Sequence, residues 1–310
     1  MTTPLNVLNR ASIHRHFDAY TDVPWDDPDY ALDPCDPRLA LPEDDPLGGT
    51  EWYRSLPQDR QARLGLQITC EMLHIGMDFE GVLSAGLLEL SRCLDVGDPM
   101  RRYALHEVIE EGQHTLMFRE IIMRSGLPTR GLRGVNRLHS YTVPRQARRF
   151  PEYFFFFVLG GEAPVDRAQR AALRRREALH PLLEKVFRIH VTEEARHISF
   201  ADLYLREHVP ELSAMKRAFL SIRVPIIMGE MSEQMLVPPA WIRRAYEIPD
   251  AVMREAYRGP RHHARLVDGV AKVRRLSEEL GLTGPFSDLL WRHWRIAPLS
   301  SPLTLPPARG

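Results

Sequence analysis

The sequence predicts an all-α protein built on a four-helix bundle. Apolar residues recur at three- and four-residue steps through most of the chain, and no convincing run of strand-like alternation interrupts them. Two Glu-Glu-x-x-His segments also stand at matched distances from a lone preceding glutamate, as paired helical hairpins would place them.

Residues 1–50 carry seven prolines, in runs such as DVPWDDPDY and DPCDP, and read as an irregular arm, because proline lacks a donor and fixes φ. A helix with an early break follows over 57–94, its buried stripe marked by Leu73, Met77, Leu83, Leu87 and Leu90. DVGDP stops it. The next helix spans 100–125, with Gly126 as its stop signal, and then comes an irregular stretch holding Gly131, Gly134 and Pro144. A third helix covers 151–178, disturbed by Gly160, Gly161 and Pro164. His180 before Pro181 marks a boundary, and Pro181 suits the first position of a fourth helix reaching about 208. Further helices are expected at 211–236, 239–257, 262–281 and 285–296, before an irregular tail, APLSSPLTLPPARG. The organisation is thus an arm at 1–50 and one helical domain at 51–310, with the bundle core at about 60–236.

Composition excludes several classes. Lysine plus arginine and aspartate plus glutamate both number 41, so a neutral balance gives no electrostatic case for a nucleic-acid or anionic-membrane partner. The longest apolar stretch, 153–161, is about half a membrane span. Cys35, Cys70 and Cys93 are too scattered for a disulfide framework or zinc knuckle, and the amino terminus lacks a secretory pattern, so a cytoplasmic location is expected.

Glu-x-x-His occurs four times, at 71/74, 111/114, 177/180 and 194/197, and alone it is weak. Setting distinguishes two copies. EEGQH (110–114) and EEARH (193–197) repeat one pattern, with Glu80 standing 31 residues before Glu111 and Glu162 standing 32 before Glu194. From Glu80 to the turn near Gly97 is roughly 25 Å of helix, and from there to Glu111 roughly 21 Å, so the carboxylates come almost level in a hairpin. Two such hairpins face to face gather four glutamates and two histidines inside the bundle, the ligand set of carboxylate-bridged di-iron and di-manganese proteins. The 47 residues between His114 and Glu162 leave room for the long crossover of a ferritin-like bundle. Gly76, Met77, Leu83, Ser84 and Leu87 surround Glu80 on its helix, a setting where a lone carboxylate needs a proton or a partner. Oxygen-rich ligation with imidazole suits iron or manganese. Glu71 is the alternative to Glu80, near the opposite side of the same helix.

His190 goes further: four residues before Glu194 and seven before His197, it shares their helical face. The segment HVTEEARHISFADLYL (190–205) resembles the signature of the aminobenzoate N-oxygenase family of non-haem di-iron proteins, and the likeness covers roughly 70–205. That resemblance implies a ferritin-like bundle, O2-dependent conversion of an aryl amine to a hydroxylamine or nitro compound, and a biosynthetic setting. Carried over, it implies the metal ligands Glu80, Glu111, His114, Glu162, His190, Glu194 and His197 around two iron ions, with manganese the alternative. Glu110 and Glu193 are placed to accept from the ring N–H of a ligand histidine on the facing helix, or are exposed charges. Arg223, in the apolar run FLSIRVPIIMGEM, is a candidate for holding an acidic aromatic substrate, with a structural ion pair as its other reading. YFFFF (153–157) reads as core, and His262 and His263 as surface. The expected partners are a small amine, O2 and an electron-transfer donor, since no flavin or dinucleotide fingerprint is present; a homodimer is one possible assembly. Alternatives are a related oxygenase acting on a C–H bond or an aliphatic amine, a metal-storage or peroxide-dismutating bundle, and a metal-free helical interaction protein.

Overall fold

A computed structural model of the chain describes residues 3–175 and 179–298. Among them the regular structure is helical: α1 (Pro4–His14), α2 (Glu51–Ser55), α3 (Gln58–Ser91), α4 (Pro99–Ser125), α5 (Gly134–His139), α6 (Gln146–Arg149), α7 (Pro151–Leu173), α8 (Pro181–His208), α9 (Ala214–Leu236), α10 (Ala240–Ala245), α11 (Asp250–Arg258), α12 (Pro260–Glu279) and α13 (Pro285–His293). The fold is an all-α, ferritin-like bundle. α3 pairs with α4 and α7 with α8, and contacts of α3 with α7 and of α4 with α8 close the four-helix layer. α9 and α12 cover the outside of α7, while α1 lies across α4 and α8. No helix among the described residues is long and apolar enough to cross a membrane.

Local chemistry sets the hairpin ends. Asp98 accepts from the Met100 amide at 2.8 Å and Pro99 occupies the first turn, so α4 starts there. Gly126 ends α4 at φ 63°, a left-handed conformation that costs glycine nothing. His180 caps α8 through its ring, accepting from the Leu182 amide at 3.3 Å. The early break expected within 57–94 is absent: α3 runs unbroken from Gln58 to Ser91, and the interruption at Leu56–Pro57 precedes it and separates the short α2.

Four further expectations need correction. The arm is not irregular throughout, because Pro4 stands at the start of α1, where its missing N–H costs nothing, and Thr3 caps that turn. α7 is continuous through Gly160, Gly161 and Pro164. The stretch 239–257 is two helices, separated where Glu247 takes φ 55° shortly before Pro249. His262 and His263 are buried; His263 meets the Ala297 carbonyl at 3.0 Å, and His262 lies edge-on to Tyr257. Glu177 and residues 299–310 of the expected tail lie outside the described residues.

Aromatic packing fixes the interior on both sides of the polar layer. Phe154, Phe155 and Phe156 are fully buried, as core residues. Phe79 of α3 stacks on Phe157 of α7 at 5.3 Å, and Tyr103 of α4 meets Phe200 of α8 at 4.4 Å. Each such ring stabilises the fold by roughly 1.5–3 kcal/mol. Burying an ion costs several kcal/mol after relaxation, so the carboxylates between these layers require compensation.

Candidate metal centre

α3 carries Glu80 inward, α4 carries Glu111 and His114, α7 carries Glu162, and α8 carries His190, Glu194 and His197; all seven are at most 2% exposed. They form one cluster. Glu80, His114, His190 and Glu194 place four donor atoms within 4.8 Å of one another. His114 Nδ1 lies 3.0 Å from Glu111 and 3.3 Å from Glu194, and His197 Nδ1 lies 2.9 Å from Glu111 and 3.1 Å from Glu194. His190 Nε2 is 3.5 Å from Glu80 and 3.9 Å from Glu194. One face of each of these histidines thus points at carboxylates from two helices.

The opposite ring atoms are held from outside. His114 Nε2 meets Glu193 at 2.9 Å, and His197 Nε2 meets Glu110 at 2.7 Å. The pairing is crossed between α4 and α8, and it fixes both ring orientations. Arg196 sits 2.9 Å from Glu110 and 3.4 Å from Glu193 and balances these two carboxylates. The arm closes this side: the Phe17 amide donates to Glu193 at 3.3 Å and the Ala19 amide to Gln113 at 2.8 Å.

Glu107 belongs here, although the spacing argument passed over it. Its carboxylate is 1% exposed, neither oxygen has a hydrogen-bond partner, and it groups with Glu111 and His197 as a second set of donors within 4.8 Å. The signal was present. Glu107, Glu111 and His114 repeat the four-then-three spacing of His190, Glu194 and His197, so the internal repeat extends one turn further with a carboxylate where the second half has an imidazole.

Glu71 and Arg223 lie elsewhere. Glu71 accepts from the Arg130 amide at 2.8 Å and from the Trp241 indole at 3.3 Å, away from Glu80. Arg223 of α9 donates to the hydroxyl of Tyr153 on α7 at 3.2 Å and joins neither the cluster nor the cavities that border it.

The electrostatics of the layer bear on what it can hold. Burial and neighbouring carboxylates raise Glu80 and Glu162 well above the usual carboxylate range, and burial pushes Glu107 up to about 8. Burial alone would also raise Glu111 and Glu194, but the facing histidines hold Glu111 well below and Glu194 below the usual value. Burial would lower His114, yet bonds to Glu111 and Glu193 raise it to about 10; the surrounding carboxylates raise His197 well above its ordinary value. Burial lowers His190 to about 4. Protons on Glu80, Glu107, Glu162, His114 and His197 therefore offset the buried negative charge of the layer. Buried oxygens of Glu80, Glu162 and Glu194, with His190 Nδ1, still have no partner. Two divalent cations would replace those protons and satisfy those atoms, so the donor set fits a metal pair.

A pH dependence follows. Glu107 and His114 hold protons in the folded metal-free chain that the unfolded chain releases near 4.5 and 6.5. Between pH 6.5 and 8 both groups make stability fall as pH rises, by about 1.4 kcal/mol per pH unit for each proton. Metal loading is expected to reverse this trend, since it would expel about five protons, those on Glu80, Glu107, Glu162, His114 and His197, and would tighten as pH rises. Calorimetry of ferrous binding in buffers of different ionisation enthalpy should count those protons at pH 7. A count near zero would show that the histidines and raised carboxyls are not displaced.

Fold and site together define a ferritin-like carboxylate–histidine protein of the di-metal class. Residues 3–281 match the family described as P-aminobenzoate N-oxygenase AurF, and the chain belongs to that family, an oxygenase family of di-iron enzymes. It is also 39% identical over 293 residues to the uncharacterized protein Rv0885 of Mycobacterium tuberculosis and the uncharacterized protein Mb0909 of Mycobacterium bovis, covering 94% of this chain and 86% of each relative. No solved structure gives a significant match.

Proposed function

We propose that the chain is an O2-dependent di-iron oxygenase that inserts oxygen at the nitrogen of an aryl amine. The observation that supports it most is the third histidine. His190 reaches the cluster on the same face as Glu194 and His197 and gives one metal position two imidazoles, His114 and His190, beside Glu80 and Glu194. Glu107, Glu111 and His197 serve the other position, with Glu162 supplying a carboxylate between the halves. Iron fits this donor set, and manganese is the alternative. When bound, the metal pair supplies O2 activation and accepts electrons from an external donor.

The chain's own residues hold and shield the reaction. Glu193 and Glu110 fix the rings of His114 and His197, and Arg196 keeps those two carboxylates in place. Phe118, 5.1 Å from the His190 ring, and Phe79, beside Glu80, exclude water from the α3 side. In the reaction, one atom of O2 enters an N–H bond of the amine to give the hydroxylamine. The other leaves as water with two protons and two electrons from the donor.

The test is product analysis. Iron-loaded protein with reductant, 18O2 and a panel of anilines should yield N-hydroxylated or nitro products carrying the label. Oxygenation confined to carbon, or iron uptake far beyond about two per chain without organic product, would overturn the N-oxygenase reading.

A further inference from the structure

α7 carries a further buried polar residue on the face of Glu162. Gln169 lies seven residues further on, two turns and about 10 Å along the same side. It is 1% exposed, and among the described residues neither its amide nitrogen nor its oxygen has a hydrogen-bond partner. An unpaired buried amide is destabilising, so an occupant that both donates and accepts would relieve it.

The surroundings supply one. Outside Gln169, between α3, α7, α8 and α12, opens a cavity of about 730 Å³ walled by Met72, Leu183, Phe187 and Leu236. Inside it lies a narrow gap bounded by Glu80, Glu162 and His190. Met72 and Gln169 border both spaces and form the neck between them. Four arginines line the cavity, and each is committed: Arg175 to Asp44 at 3.2 Å, Arg265 to Asp45 at 2.7 Å, Arg38 to Asp36, and Arg167 to Asp268. Among the described residues, no cation without an acidic partner lines this cavity. A carboxylate there would be desolvated without a partner, whereas a neutral group with a donor and an acceptor would complete both amide atoms. A separate cavity of about 670 Å³, bordered by Gly229, Tyr257 and Trp294, shares no residue with the metal cluster.

We propose that this cavity is the substrate route and that Gln169 selects an aryl amine whose far end carries an uncharged hydrogen-bonding group, such as a carboxamide. The inference rests on the aryl-amine reading above. It departs from the acidic substrate in the family's description and from a clamp by Arg223.

Anaerobic binding to iron-loaded protein separates this proposal from the chemistry, because no turnover occurs. The probes are 4-aminobenzamide, 4-aminobenzoate and aniline. The wild type should bind the amide about tenfold more tightly than either other probe. Gln169→Leu should lose that preference, bind aniline within about twofold of wild type, and keep its iron content. Met72→Trp, which fills the neck, should weaken all three probes about tenfold or more and also keep its iron. A preference for 4-aminobenzoate, an unchanged amide affinity in Gln169→Leu, unchanged binding in Met72→Trp, or no binding of any probe would each overturn the proposal. If labelled N-oxygenated products still formed, the functional reading would survive that failure. Gln169-dependent amide binding without N-oxygenation would have the opposite meaning.

Discussion

Glu194→Gln is expected to strip most of the metal from the centre while leaving the chain folded. Glu194 is fully buried and stands between all three histidines, 3.3 Å from His114, 3.1 Å from His197 and 3.9 Å from His190. Glutamine keeps its shape and volume but loses the anion that faces all three histidines. Changing groups that only orient a ligand already costs about 10–100-fold in metal affinity, so loss of a proposed ligand at the centre of the cluster should exceed about a hundredfold. Oxygenase turnover should fall in step, because the chemistry depends on the pair. The measurement is ferrous titration of the variant, with circular dichroism as the control for folding. Two ions bound at wild-type affinity would remove Glu194 from the ligand set.

Gly161→Ala should have the next largest effect, and by a steric route. A Cβ at Gly161 would lie 2.1 Å from the Phe79 ring, closer than any real contact allows. Phe79 stacks on Phe157 and precedes Glu80, while Gly161 precedes Glu162. Relief by moving either helix therefore pulls two carboxylates apart. The overpacking should cost about 1–3 kcal/mol and weaken metal loading at the same time. Thermal unfolding and ferrous titration check the two halves of this expectation. A fully stable variant that loads normally would show that α3 and α7 need not approach so closely.

Much of this was legible because it follows from arithmetic on helices. The 31- and 32-residue intervals ending at Glu111 and Glu194 require two hairpins of similar height, and the structure gathers the level carboxylates into one buried layer. Pro99, Gly126 and Pro181 sit at the helix ends that their chemistry favours. Other features depended on packing that no local pattern carries. The continuity of α7 could not be read from Pro164, since a proline removes one hydrogen bond but neighbouring helices decide whether the axis breaks. Proline content hid α1, because Pro4 falls at the one helical position that tolerates it. Glu107 was overlooked because a glutamate one turn before a ligand also describes a solvated helix face; comparison with His190 in the other half would have found it. Whether Glu110 and Glu193 pointed inward depended on the crossed register of α4 against α8, which sequence spacing leaves open.

The central claim is that this buried layer of carboxylates and imidazoles is built for a pair of cations. Anaerobic titration of the metal-free wild-type protein with ferrous iron, followed by elemental analysis after desalting, tests it most directly. The account predicts retention of about two irons per chain. A retained ratio near zero, with the protein folded, would contradict it.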